Sequence, residues 1–566
     1  MHKYTFALFL FFSLIFPASC FRAMPDLSGS DCYGYGEDCE CNDADSGFND
    51  SGRPEADIDS DSDSDTDADN DSDNDIDADY DTDSDTDSDS DSDTYELTGN
   101  LVWVKSAGSS HPERATDVGV YADGSSIITG TYYAGTVFGE GEPDETHLPP
   151  AGADRIFTAR YNADGTLRWA RHEGGSGDSI GTAVAALSDG SALITGGAVG
   201  TMRLKGQDAG ACSPDYGYKD IFLMKYDRNG SEKWIIKAGG PEYDMGMDVA
   251  AYPDGSSVVT GFFSGVAIFG EGEKEQTCIS SRGEKDVFIA RFSPFGKLVW
   301  VRKAGGTGDQ SANSIAVFDD GSFLITGSYE NQISFNLSEN IEATLIPAEE
   351  KDIFVARFNE SGYLEWVAIA GGEADDEGLS AGIMNDGSIY VTGYFRDEAL
   401  FGRGNNNSVS LVSAGNKDVF LARYSESGNF LWAQRGGGDY TDIGHGIALS
   451  PDGDVVITGF FCGGHATFGT GDAEQSIDPI KDNMSIFAAR YSSSGTLRWL
   501  KRMGGSNPTL YKKTIESGYG AQFTKQGYVM IAGACGYEAV FGLDEPGQTI
   551  ISTKSATDIF ISKLKP

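Results

Sequence analysis

The sequence predicts an all-β protein whose folded part is a seven-bladed β-propeller of four-stranded antiparallel blades. Three observations lead to this prediction. The seven tryptophans of the 566-residue chain, from Trp103 to Trp499, are spaced by 66, 65, 66, 66, 66 and 67 residues. The same glycine-containing motifs accompany each tryptophan, and no segment between them has the period of a helix. A repeat of four strands at this length is typical of a propeller blade.

Each repeat contains four short runs rich in β-branched and aromatic residues. A Gly-Gly pair follows the tryptophan run in six repeats, first at Gly174-Gly175, and an Asp-Gly pair such as Asp123-Gly124 separates the next two runs. Asp-Gly favours the positive φ of a tight hairpin turn. The second run ends in Thr-Gly in six repeats, and the third begins with Asp in most of them, as in Asp352–Phe358. The repeat therefore predicts an antiparallel sheet.

The chain begins its first repeat part-way through a blade. The tryptophan run near Leu101–Lys105 precedes any complete unit, and the last repeat ends on its third run, Asp558–Lys563. Pairing these two runs would complete the seventh blade and cover two sheet edges that otherwise invite aggregation. We therefore expect the ring to close between the two ends of the propeller.

The motifs Gly-Gly, Asp-Gly, Thr-Gly and Asp-Ile-Phe-x-Ala-Arg-Tyr recur in nearly every unit of the predicted propeller, 95–566. Residues from about 97 to 566 resemble the bacterial seven-bladed β-propeller (SBBP-type) repeat family. The resemblance implies a secreted protein or a lipoprotein. It implies little about activity, because propellers carry many unrelated functions.

The N-terminus predicts export. Residues 1–19 combine His2 and Lys3 with an apolar run, Phe6–Phe16, as in a signal peptide. Ala18-Ser19-Cys20 resembles a lipobox, which implies acylation of Cys20 and anchoring at the outer membrane or cell surface. The alternative is ordinary signal cleavage and secretion, with Cys20 as a free or disulfide-bonded thiol. A cysteine-containing segment, 20–56, follows, and no later run is long enough to span a bilayer.

Residues 57–94 predict a disordered acidic stalk. Every odd position is aspartate, 19 in 38 residues, and such a chain stays extended and solvated. The segment resembles the serine–aspartate stalks of bacterial surface proteins. It lacks the glycine and glutamate of an EF-hand loop, so we expect a plain spacer with at most weak, diffuse Ca²⁺ binding. The positions considered for this are Asp57, Asp59, Asp61, Asp63 and Asp65.

Charge and motifs limit the functions to be considered. With 88 acidic and 41 basic residues the net charge is −47, which disfavours binding to nucleic acid or anionic lipid. Gly177-Asp178-Ser179-Ile180-Gly181 matches a nucleophile elbow, but that motif needs a strand-to-helix turn, so we interpret it as a coincidence. The few histidines show no paired metal spacing. We predict no catalytic residues, no metal site and no cofactor.

Aspartates follow each Gly-Gly pair at similar phases. Local turn hydrogen bonding is the simpler interpretation, and an acidic ring on one face is the alternative. These residues are Asp117, Asp178, Asp244, Asp309, Asp376 and Asp442.

Four cysteines occupy matching places in neighbouring repeats. Cys212 and Cys278 each precede a third-run Asp by eight residues, and Cys462 and Cys535 follow second-run glycines. In an oxidising compartment this predicts disulfides Cys212–Cys278 and Cys462–Cys535, with buried thiols as the alternative.

The sequence as a whole predicts an anchored, non-catalytic binding scaffold for a protein or glycan partner. Membrane contact would be through the lipid anchor alone. The alternatives are a secreted or surface propeller enzyme acting on polysaccharide, or a purely structural envelope protein.

Overall fold

The computed structural model describes residues 98–566 apart from 175–176, 201, 205–206, 209–217, 339–340, 348–349, 480–483 and 506–514. The predicted signal peptide, Cys20, the stalk at 57–94 with the five aspartates considered for Ca²⁺ binding, and Cys212 lie outside the described residues. Within the described residues, no helix is long and apolar enough to cross a membrane.

The described chain forms seven four-stranded antiparallel blades, as predicted. Along the sheet, each blade has its first strand at the axis and its fourth strand outside. Blade 1 consists of Arg114–Val120, Ser126–Tyr132, Arg155–Tyr161 and Leu167–Glu173. Blade 2 consists of Ser179–Ala186, Ala192–Val199, Lys219–Tyr226 and Glu232–Ala238. Blade 3 consists of Met245–Ala251, Ser257–Phe263, Asp286–Phe292 and Leu298–Ala304. Blade 4 consists of Gln310–Val317, Phe323–Glu330, Lys351–Phe358 and Leu364–Gly372.

The remaining blades follow the same order. Blade 5 consists of Glu377–Ile383, Ile389–Phe395, Asp418–Tyr424 and Phe430–Gly437. Blade 6 consists of Ile443–Leu449, Val455–Phe461, Ser485–Tyr491 and Leu497–Met503. Blade 7 consists of Ser517–Phe523, Val529–Cys535 and Asp558–Leu564, with Leu101–Ala107 as its fourth strand.

The ring closes as the sequence predicts. Leu101–Ala107 pairs antiparallel with Asp558–Leu564, with Val104 opposite Ser562. The first strands of neighbouring blades contact one another all round the axis, including blade 7 with blade 1. Both strand edges at the seam are therefore paired, and the N-terminal strand is part of the fold.

The hydrophobic core lies between blades. The second strand Val455–Phe461 is buried along its whole length, because neighbouring blades cover both of its faces. One apolar cluster combines Ile128 and Phe157 of blade 1 with Ile559 and Ile561 of blade 7. Each blade therefore depends on its neighbours for burial of its apolar side chains.

An additional hairpin follows the second strand in each repeat and lies on the outside. The hairpins are Val137–Phe138 with Thr146–His147, Arg203–Leu204 with Gln207–Asp208, Val266–Phe269 with Thr277–Ser280, Ile333–Ser338 with Ile341–Leu345, Glu398–Phe401 with Val409–Val412, Ala466–Phe468 with Gln475–Ile477, and Glu538–Phe541 with Thr549–Ser552. The blade 6 hairpin also contains the short 3-10 helix Gly471–Ala473.

These hairpins join successive blades. The blade 5 hairpin pairs with the fourth strand of blade 4 through Gly371 and Leu400, and the blade 6 hairpin pairs with blade 5 through Gly436 and Phe468. The connections between the second and third strands therefore have a structural role.

Candidate functional site

Residues that recur in the repeats hold the blades together. The indole of Trp169, in the fourth strand of blade 1, packs on Gly230 of blade 2, where a Cβ would lie 2.7 Å from the ring. Gly230 has φ of +72°, which glycine adopts readily. Trp169 Nε1 donates to the carbonyl oxygen of Arg228 at 3.3 Å. Trp234 and Trp366 make the same bond to the next blade. The tryptophan period is therefore structural.

The Thr-Gly motif brings neighbouring blades into close contact. Thr129 Oγ1 donates to the carbonyl oxygen of Phe157 in the adjacent strand, 2.9 Å away. A Cβ on Gly181, in the first strand of blade 2, would lie 2.4 Å from the same hydroxyl oxygen. The recurring threonine and glycine therefore set the spacing between blades.

The acidic residues after Gly-Gly do not form one ring. Asp244, Asp376 and Asp442 occupy one equivalent, fully buried position, whereas Asp178 and Asp309 fall one residue before it. Asp244 accepts hydrogen bonds from the backbone N–H groups of Gly240, at 2.7 Å, and Ser264, at 3.0 Å. For these three residues the structural interpretation of the sequence is correct, and an acidic surface ring is not formed.

The same buried position holds a glutamate or glutamine in blades 1, 4 and 7. These residues are Glu113, Gln310 and Glu516, and the pattern of aspartates after Gly-Gly did not identify them. Glu113 accepts from Ser109 N at 3.0 Å, and Gln310 accepts from Gly306 N at 3.1 Å. Burial raises the pKa of Asp244 and of Asp376 to about 8, and that of Glu113 to about 7. Desolvation outweighs the backbone hydrogen bonds, which act in the opposite direction.

The nucleophile-elbow match has no catalytic geometry. Gly177–Gly181 leads into the first strand of blade 2, which is a strand and not a helix, and Ser179 is fully buried. Its Oγ donates to the carbonyl oxygen of Gly177 at 3.2 Å. Among the described residues, no group of three or more His, Cys, Asp or Glu side chains could hold a metal ion.

The predicted disulfide between Cys462 and Cys535 does not form. Cys535 is a buried thiol that forms no disulfide, so the Cys462–Cys535 bond is absent from the structure. The register gives the reason: Cys535 pairs with Asp558 as Phe461 pairs with Ser485, so Cys535 corresponds to Phe461 and not to Cys462. Cys462 instead donates from Sγ to the carbonyl oxygen of Thr441.

Cys278 is exposed in the blade 3 hairpin. Its proposed partner Cys212 is outside the described residues, and that bond stays a prediction.

The first strand of every blade contains a bulge at its third or fourth residue. In blade 1 the register shifts between Ala115 and Asp117, which leaves Thr116 as the extra residue. The seven bulged residues, in blade order, are Thr116, Thr182, Met247, Asn313, Leu379, His445 and Tyr519. They lie near the start of the innermost strands, and we call this set the channel mouth.

Contacts within the channel mouth run from one blade to the next. Thr116 Oγ1 donates to the carbonyl oxygen of Gly181 at 2.7 Å, and Asn313 Nδ2 donates to that of Gly378 at 3.0 Å. The rings of His445 and Tyr519 are 4.9 Å apart. Because the first strands contact one another all round the axis, the seven bulged residues form a ring.

Two apolar clusters flank the channel mouth. One contains Ile180, Met245 and Phe262, with Met247 packed against it. The other contains Leu379, Tyr394 and Ile443 with other residues of blades 5 and 6. Methionine side chains are adaptable, and methionine and aromatic side chains are enriched at protein-binding surfaces.

Two buried carboxyl groups lie on the innermost strands beside the channel mouth. Asp117 of blade 1 accepts from Val184 N of blade 2 at 2.8 Å, and Asp248 of blade 3 accepts from Ile315 N of blade 4 at 2.8 Å. Loss of hydration raises the pKa of Asp117 to about 8, and the nearby charge of Asp248 adds to this effect. Burial lowers the pKa of His445 to about 3, so its ring is neutral at pH 7.

No protein-family model matches the chain. It is 25% identical over 345 residues to an uncharacterized WD repeat-containing protein of Acanthamoeba polyphaga mimivirus, a match that covers 51% of this chain and 25% of the relative. It is 25% identical over 361 residues to the regulatory protein FlaEY of Caulobacter vibrioides, covering 59% of this chain and 36% of the relative. The chain thus spans about a third or less of the length of these curated relatives.

Two solved structures align with much of the chain at low sequence identity. Sqt1 from Chaetomium thermophilum covers 83% of this chain at 9% identity and a TM-score of 0.35, with 99% of Sqt1 aligned. The Pan2 WD40 domain of Neurospora crassa covers 68% of this chain at 8% identity and a TM-score of 0.30, with 88% of that domain aligned. The number of blades in this protein follows from its own strand pairing.

Proposed function

We propose that the chain is a non-catalytic scaffold that binds a protein partner through the channel mouth. The observation that carries this proposal is the variation among the seven bulged residues in a chain whose junction residues recur. A position that the fold does not restrict to one residue type can differ between units, and such differences can serve recognition. The WD-repeat description of one relative and the regulatory description of another favour a protein partner.

The scaffold would act at the cell envelope. In this proposal Cys20 carries the lipid anchor at the outer membrane or cell surface, and residues 57–94 form the stalk that holds the propeller away from it. Labelling with a palmitate analogue tests the anchor: the wild type should be labelled and a Cys20→Ala chain should not. Equal labelling of both would exclude acylation at Cys20.

Binding is tested with full-length protein immobilised and exposed to an envelope extract of its own cells. The mouth variant carries two substitutions, Met247→Asp and Tyr519→Asp, which change the channel mouth on two sides. The control variant Val299→Asp changes an outer side chain that is 47% exposed. We expect the mouth variant to lose the captured partner and Val299→Asp to retain it. Equal capture by all three proteins would refute the role of the channel mouth.

The same experiment separates the classes of partner. Capture that is abolished by protease treatment of the extract indicates a protein. Capture that resists protease and is lost after periodate oxidation indicates a glycan and would replace the protein proposal. Release of reducing sugar from an envelope polysaccharide by the wild type, and not by the mouth variant, would indicate the enzyme alternative.

A further inference from the structure

A cavity of about 380 Å³ lies on the outer side of the seam between blades 6 and 7. Its floor includes Leu101, Met503 and Leu564, which are almost fully buried. The outer hairpins of the two blades form its sides, with Ile477 on one and Leu543 on the other. Cavities of this size hold small organic ligands in proteins.

Two cations line the cavity, and they differ in how they are paired. Lys501 Nζ lies 2.7 Å from Glu545 Oε1, so its charge is compensated. Arg502 makes one hydrogen bond, from Nη1 to the carbonyl oxygen of Asp478 at 2.8 Å, and no ion pair with any residue of the described chain. Asp478 itself is paired with His465 at 2.8 Å.

The residues equivalent to Arg502 in blades 2 and 5 form ion pairs, whereas Arg502 forms none within the described part of the chain. In blade 5, Arg435 forms an ion pair with Asp418 of the third strand at 3.2 Å, and in blade 2, Lys237 pairs with Asp220 at 2.7 Å. In blade 6 the third-strand residue is Ser485 and not aspartate. Blade 6 therefore has the fourth-strand cation found in blades 2 and 5, here Arg502, but lacks the third-strand aspartate that pairs with it in those blades.

The environment makes this unpaired charge costly. Burial lowers the pKa of Arg502, and the charges of Asp478 and Asp544 oppose that shift only in part. The Ser485 hydroxyl is fully buried and has no hydrogen-bond partner among the described residues. A guanidinium with N–H groups to spare binds a carboxylate through charge-assisted hydrogen bonds.

We propose that this seam cavity binds a small organic carboxylate with an apolar body, the carboxylate on Arg502 and the apolar part on the leucine and methionine floor. The ligand supplies the negative charge that aspartate supplies in blades 2 and 5. The cavity is built by the fourth strand of blade 6 and the outer hairpins, separate from the channel mouth, so this inference does not depend on the proposed function.

Calorimetric titration of the full chain with sodium octanoate tests the proposal, with octan-1-ol and inorganic phosphate as comparison probes. We expect saturable binding of octanoate at one site, and no measurable binding of octanol or phosphate. Octanol binding as tightly as octanoate would exclude a role for the charge. Phosphate binding as tightly would exclude a role for the apolar floor. Either result, or no octanoate binding, overturns the proposal.

Three variants assign the binding to Arg502. Arg502→Gln should lower octanoate affinity at least about tenfold, the effect of losing one charged hydrogen bond. Ser485→Asp restores the aspartate of the other blades and should lower affinity equally by pairing with Arg502. The control Arg435→Gln changes the equivalent arginine of blade 5 and should leave affinity unchanged. If Arg502→Gln does not fold, Ser485→Asp decides the question, and unaltered affinity in Ser485→Asp contradicts the assignment.

Discussion

The junctions between blades and the channel mouth differ in how their residues repeat. At the junctions a tryptophan occurs in all seven units and the Thr-Gly pair in six. At the channel mouth the seven bulged positions hold six residue types, with only threonine used twice. The difference shows which positions the fold constrains. Substitutions at the junctions should affect stability, and substitutions at the mouth should affect binding.

The closing strand should give the largest effect on stability. Deleting residues 95–108 removes the partner of Asp558–Leu564 and leaves that strand with an open edge. We expect a loss of several kcal/mol, against about 5–15 kcal/mol for the stability of a whole domain. Urea denaturation followed by tryptophan fluorescence measures it. Deleting residues 21–94 is the control and should leave the midpoint unchanged; an unchanged midpoint in the 95–108 deletion would contradict closure by this strand.

A junction tryptophan should have the next largest effect. Trp169 is 6% exposed and packs on Gly230 of the following blade. Trp169→Ala should lower the free energy of unfolding by about 3–5 kcal/mol, as expected for a large cavity. The control at the channel mouth, Tyr519→Ser, should cost less than about 1 kcal/mol. Equal losses in the two variants would remove the distinction between junction and mouth.

Most of the fold could be predicted because its determinants are local and repeated. The tryptophan period gives the number of blades, and the Asp-Gly pairs give the first hairpin of six of them. At Asp123-Gly124 the turn forms as expected, with Gly124 at φ of +80° and Asp123 Oδ1 accepting from Ser125 N at 2.9 Å. Closure of the ring also followed from counting strands at the two ends.

The candidate site could not be predicted because it depends on register. The bulge shifts Thr116 and its six equivalents by one residue, and nothing in a single repeat marks that shift. A separate one-residue offset between units affects the comparison of Cys462 with Cys535 and of Asp178 with Asp244. In a strand one residue changes the face on which a side chain lies. Aligning the seven units shows that the bulged position varies, but the position after each second strand, from Tyr133 to Gly536, varies as much, so the strand pairing was needed to find the channel mouth.

The buried carboxyl groups at the junctions predict a pH dependence of stability. Asp244 and Asp376 have pKa values raised to about 8, and Glu113 to about 7, against about 4 for such groups in an unfolded chain. Between pH 4 and 8 the folded state therefore binds more protons than the unfolded state, so stability should fall as pH rises. Below pH 4 these groups are protonated in both states and contribute no further change.

A single substitution isolates one of these groups. Asp376 accepts from Gly372 N at 2.8 Å and Arg396 N at 2.9 Å, so Asp376→Asn turns an amide N–H towards a backbone donor and should cost about 1–3 kcal/mol at pH 5. The free energy of unfolding of Asp376→Asn should then fall less steeply from pH 5 to 8 than that of the wild type. The difference in slope should be about 1.4 kcal/mol per pH unit, because the variant lacks one group that is protonated only in the folded state.

The control Asp386→Asn removes a turn carboxyl whose pKa is lowered by Ser388, so it should alter the pH dependence only in acid, where Asp386 loses its charge. Chemical denaturation at a series of pH values measures all three proteins. A wild-type stability that rises from pH 5 to 8, or an Asp376→Asn slope equal to that of the wild type, would show that these junction carboxyls are ionised in the folded protein at neutral pH.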